Sequence, residues 1–145
     1  MYNMLLHSHS GLRWLTLIFL VLAIFGAWGQ WSKKENYPSS KMPLLAFIFT
    51  HIQLLLGLAL YSMSHKVQFA AGVMKDSQLR FFTVEHISLM LIAIILITVG
   101  YLKAKKQAPE AKAHKTIFTY YLIGLILILV SIPWPFRAAL GAGWF

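Results

Sequence analysis

Cysteine is absent from the chain, and acidic residues number only four: Glu35, Asp76, Glu85 and Glu110. The first absence excludes a disulfide framework, an iron–sulfur cluster, a thiolate-ligated haem and covalent CxxCH attachment. The second leaves little for carboxylate chemistry, since only Glu85 falls within an apolar run and no carboxylate pair does. A nucleophile elbow and a phosphate-cradling glycine loop are missing as well, which removes support for hydrolase or nucleotide chemistry.

Apolar residues are abundant instead. Hydrophobic residues make up 59% of the 145 positions, and the mean hydropathy of +0.67 is far above that of a soluble domain. Leu12 to Trp31, Leu44 to Met63, Phe81 to Leu102 and Thr116 to Trp134 are apolar runs of membrane-spanning length. Each reaches the roughly 20 residues that a hydrocarbon core of about 30 Å requires. The first run is expected to stay as an anchor: MYNMLLHSHSG carries no basic residue, and AWGQW offers no small-residue cleavage site. The expectation is therefore an all-α integral membrane protein of one domain, 1–145, with helices over about 10–31, 44–63, 80–102 and 114–134. Short connections favour an antiparallel, up-down-up-down four-helix bundle. Pro133 and Pro135 end the fourth helix because neither supplies an amide hydrogen.

The net charge of +9 divides by loop. Lys33, Lys34 and Lys41 lie in the first connection, and Lys103, Lys105, Lys106, Lys112 and Lys115 in the third. Arg13, Lys66, Lys75, Arg80 and Arg137 occupy the other side. The positive-inside rule then places the first and third connections in the cytoplasm and both termini outside. Lysines in short membrane loops meet anionic lipid, not nucleic acid. The middle connection, SHKVQFAAGVMKDSQ, is apolar enough to pack Val67, Phe69, Val73 and Met74 along the outer interface.

Histidine is the informative residue. A histidine at membrane depth is costly and needs a partner. His51 and His86 sit inside apolar runs, His7 and His9 at the outer mouth of the first, and His114 at the inner mouth of the fourth. Sidedness groups His9 or His7 with His86 near the outer face, and His51 with His114 near the inner one. A helix aims residues two apart about 200° from each other, so one of the HSH pair faces the bundle, and His9 is nearer the hydrocarbon. Without cysteine, an iron porphyrin held by histidine is a b-type haem, or one of the a or o type. Two such haems fit the two pairs. His51 lies ten residues past Lys41, roughly 15 Å at 1.5 Å per residue, whereas His114 adjoins the basic loop. This uneven depth keeps one haem, or a cross-pairing of His51 with His86, as the alternative. His65 in the outer loop reads as solvated.

Supporting residues carry two readings each. Arg13 and Arg80 suit haem propionates or serve as surface anchors. Gly26, Gly57, Gly100 and Gly124 admit a flat macrocycle or tighten helix packing. Phe118, Tyr121 and Leu125 share a face with His114 and line a haem edge or fill the core. Glu85 accepts a quinol proton or pairs with Arg80 or Arg13. Gln53 and Thr83 are candidates for hydrogen bonds that orient histidine.

Four helices carrying distributed histidines resemble the cytochrome b561-type membrane cytochromes and their superoxide- or quinol-oxidising bacterial relatives. LLHSHSGLRW, FTHIQLLLGLALY, RFFTVEHISLMLIAI and SIPWPF are more closely similar to a small bacterial four-helix membrane family described as "cytochrome B". The resemblance implies haem ligand roles for His51, His86, His114 and one of His7 or His9. The leading expectation is electron transfer between quinol or quinone and a redox partner, by a quinol-linked oxidoreductase or electron carrier. Two readings stand beside it: a haem-containing structural subunit of a larger respiratory complex, and a copper or iron site built from three or more imidazoles.

Overall fold

The computed structural model describes residues 1–145 and contains four long helices and no strand. They are α1 (Tyr2–Ser32), α2 (Met42–Met63), α3 (Ser77–Gln107) and α4 (Lys112–Ser131). All four are long and apolar enough to cross a membrane. Their outward faces agree with that composition: Phe25 is 72% exposed, Leu55 67% and Val130 60%. A bilayer hides such surface where water would penalise it.

Local chemistry sets the boundaries. Pro43 occupies the first turn of α2, where its missing amide hydrogen does no harm. Asp76 caps α3 by accepting from the Leu79 amide at 2.8 Å. Ala108 and Pro109 follow the end of α3, and α4 stops at Ser131, two residues before Pro133. The first helix begins at Tyr2, ten residues before its apolar run, because hydrogen bonding continues through Asn3–Ser10 in spite of the polar HSH sequence. Within α3, Phe81–Glu85 form a π turn directly before His86.

Helix α3 packs most closely on α4, and α1 packs on both α2 and α4; α2 and α3 touch much less. Small residues make the tight contacts. A Cβ on Gly100 would run into Tyr120, and one on Gly124 would stand 2.8 Å from Ile97 Cγ1. Residue pairs such as Tyr2 with Ser64, His9 with Gln53 and Phe19 with Phe49 link α1 to the α2 hairpin partner. The half of the interior nearer the first and third connections is solid. Ala46, Ala104, Ala113, Ile117 and Tyr121 are fully buried there, and the Tyr121 hydroxyl donates to the Pro43 carbonyl at 2.7 Å.

Candidate functional site

The other half is not solid. A cavity of about 340 Å³ lies among α1, α2, α3, the end of α4 and the C-terminal tail. Its size falls within the range of about 300–1,000 Å³ typical of small-molecule sites. Leu17, Leu54, Met90, Ile94 and Ile128 give it apolar walls, and Leu58 and Leu91 carry it out to the exposed flank between α2 and α3. Arg13 and Lys66 are its cations, and no carboxylate side chain lines it.

His9 and His86 both line this cavity, with ring centroids 6.5 Å apart and planes at 77°. Each ring is held. His86 Nδ1 lies 2.7 Å from the carbonyl oxygen of Ser131. A carbonyl only accepts, so Nδ1 carries the hydrogen and the lone pair stays on Nε2. Ser131 has this oxygen to give because the residue four positions on is Pro135, which has no amide hydrogen to complete a helical bond. Pro133 frees Leu129 in the same way, and Trp134 Nε1 donates to that carbonyl at 2.8 Å. The SIPWPF segment thus ends the helix and orients a histidine.

His9 rests on bare backbone. A Cβ at Gly57 would stand 3.2 Å from His9 Cε1, so glycine is what lets the ring lie against α2. Gln53 Nε2 donates to the His9 carbonyl at 2.7 Å, which ties the two helices at the level of the ring. Three polar atoms on this cavity are buried without a hydrogen-bond partner: His9 Nδ1, Gln53 Oε1 and Arg13 Nε. Orphaned buried groups are rare in proteins, and three of the chain's five lie on this cavity, Trp14 Nε1 and His114 Nδ1 being the others.

These observations test whether a haem fits. A b-type haem takes two imidazoles, and the ring centroids of His9 and His86 lie 6.5 Å apart on one cavity. Apolar walls suit a macrocycle, the Gly57 face provides the close approach, and two cations without carboxylate partners suit its acidic edge. The residues fit the group.

The remaining candidates are placed elsewhere. His7 is exposed on the far side of α1 from His9 and lines no part of the cavity. The pairing of His51 with His114 does not form. His51 Nδ1 donates to the Phe47 carbonyl at 2.7 Å and Nε2 lies 3.2 Å from the Thr98 hydroxyl, so this ring ties α2 to α3. His114 is buried against the first connection, 5.2 Å from the Tyr37 ring, with Nε2 3.4 Å from the Asn36 carbonyl. Burial pushes the neighbouring Tyr37 hydroxyl up to about 12, with Tyr101 adding to the effect. A cross-pairing of His51 with His86 is likewise not made, because the His51 Nε2 lies 3.2 Å from the Thr98 hydroxyl and His51 lines no part of the cavity. His65 is exposed beside Tyr2.

Arg80 does not reach the cavity; its Nε pairs with Glu85 at 2.7 Å and Nη1 donates to the Met74 carbonyl. Glu85 therefore takes the counter-ion role. Phe118, Tyr121 and Leu125 pack in the solid half and are not part of the cavity. Thr83 contributes its carbonyl to the Tyr61 hydroxyl and its Oγ1 to the Gln68 amide, steadying the π turn and the middle connection. No three histidine or acidic side chains gather anywhere, so the three-imidazole copper or iron reading has no ligand set. Sequence reasoning missed Lys66 and the tail residues Gly141, Ala142, Gly143 and Phe145, which reach the cavity from segments distant along the chain. No protein family, curated protein or solved structure matches the chain.

Proposed function

We propose that the protein is a b-type membrane cytochrome in which His9 and His86 are the axial ligands of one haem, and that it carries electrons between a quinol pool and a redox partner. The pair of imidazoles at 6.5 Å, one fixed in the tautomer that leaves Nε2 free, carries this reading. In the same proposal the helices form an antiparallel bundle across a bacterial cytoplasmic membrane. The lysine-rich first and third connections lie inside and the haem-bearing half lies toward the outer face.

A bound b-type haem would supply one-electron redox chemistry, and two imidazoles leave no open position for dioxygen. The chain supplies the rest. His9 and His86 hold and orient the group, and the Ser131 carbonyl makes His86 a more basic ligand. Leu54, Met90, Ile94 and Ile128 exclude water and lower the dielectric around it. Because α2 and α3 part at Leu58 and Leu91, a membrane-dissolved quinol approaches the site sideways from the bilayer.

The test is a reduced-minus-oxidised spectrum of protein purified after haem-replete expression, with a short-chain quinol as reductant. Wild-type protein is expected to show Soret and alpha bands that the quinol develops. His9→Ala and His86→Ala should lose them, and a wild-type protein without such bands would overturn the proposal.

A further inference from the structure

Both cations of the cavity are held by the C-terminal tail. Arg13 Nη2 donates to the carbonyl of Trp144 at 2.6 Å, and Lys66 Nζ donates to that of Gly141 at 3.2 Å. Gln78 Nε2 adds a third tie, 2.9 Å from the Leu140 carbonyl. Gly141, Ala142, Gly143 and Phe145 consequently form part of the cavity wall, while Trp144 stacks on Trp14. The tail is short and glycine-rich, with Gly141 in a left-handed conformation (φ +59°) that lets the chain turn back over the site.

Peptide carbonyls meet the donors of the two cations without neutralising their charge, and Arg13 otherwise lies over the Trp14 and Trp134 rings at 5.3 and 5.8 Å. A carboxylate supplies an acceptor and the opposite charge together. Arg13 also keeps a buried Nε without any acceptor, and the cavity wall contains no carboxylate side chain. A ligand with two carboxylates on one edge satisfies both cations better than the tail does.

We infer that Arg13 and Lys66 are a two-point anchor for the paired carboxylates of the cavity's ligand, and that the C-terminal tail is a strap these carboxylates displace. The inference rests on the haem reading for the identity of that ligand. It differs from a simple lid in its sign: the tail loosens as the ligand seats. Arg80, the more obvious outer arginine, has no part in it because Glu85 and the Met74 carbonyl hold its donors.

The chain contains no cysteine, so Ala142→Cys provides a single thiol on the strap, half-buried at the cavity wall. Its rate of maleimide labelling is measured in the full-length protein alone, with haemin, and with haemin dimethyl ester, while the Soret band reports binding separately. Haemin is expected to raise the rate on the order of tenfold, the effect of losing charged-donor hydrogen bonds. The dimethyl ester, which keeps the ring and iron but not the carboxylates, should bind through the imidazoles and leave the rate unchanged. Arg13→Gln in the same background should raise the rate without haemin. Haemin bound with unaltered labelling, or an equal rise with the ester, overturns the strap and leaves the histidine assignment standing. No haemin spectrum at all overturns both.

Discussion

Gly57→Ala isolates the contact between α2 and the His9 ring. The added Cβ would stand 3.2 Å from His9 Cε1, 3.8 Å from Nδ1 and 4.0 Å from Nε2. Carbon atoms prefer separations of about 3.5–4.0 Å, so the ring must retreat by roughly 0.5 Å toward His86. Overpacking of this kind costs about 1–3 kcal/mol. Where the ring must hold an iron in register with a second imidazole, that cost falls on binding and weakens haemin affinity roughly 5- to 150-fold. The helix itself gains, since alanine is favoured over glycine inside a helix by about 1 kcal/mol. Opposite signs are therefore expected: circular dichroism should show helix content and thermal midpoint undiminished in detergent, while a Soret titration shows weaker binding. Gly26→Ala, at a position with nothing within 4 Å of the new atom, serves as the control and should leave affinity unchanged. Equal affinity in Gly57→Ala and wild type would refute the placement of His9 against α2.

Other consequences concern the solid half. Tyr121→Phe leaves the buried Pro43 carbonyl without its donor and is expected to cost about 1–3 kcal/mol in a denaturant titration, with the haem spectrum intact. His51→Ala should likewise keep the haem spectrum while lowering the thermal midpoint, because that ring ties Phe47 to Thr98; loss of the Soret band in this variant would contradict its assigned role. Tyr37 gives a pH signature. Its folded pKa of about 12 exceeds the ordinary 10.0, so the folded state keeps a proton that the unfolded chain releases. Stability from this group is complete below about pH 10 and is lost as pH rises toward about 12. Phenolate absorbance and thermal unfolding followed across that window should both lose this component in Tyr37→Phe.

Much of this was legible along the chain, for identifiable reasons. Four apolar runs of sufficient length could hardly be anything but long helices, and an imidazole at position 86 within one of them demanded a partner. The two-residue spacing of HSH let helical geometry prefer His9 over His7. What stayed hidden depended on contacts between distant segments. The extension of α1 back to Tyr2 brings His9 to a depth comparable with His86, an agreement that hydropathy obscured by counting from Leu12. His114 is drawn away from His51 by the first connection, through Asn36 and Tyr37, and no periodicity encodes that. Lys66 and the tail converge on the cavity by folding alone. SIPWPF was read as a helix stop, and its second consequence, a free Ser131 carbonyl for His86, needed the neighbouring helix in place.

One haem shared by His9 and His86 is the arrangement we propose. Electron paramagnetic resonance of the ferric, haem-replete protein tests it most directly, since spin state reports the axial ligands. A single low-spin species at one haem per chain is expected, anisotropic because the ring planes stand at 77°, and lost when either histidine is replaced by alanine. A second low-spin species, a high-spin wild type, or a low-spin signal that survives in both single variants would contradict it.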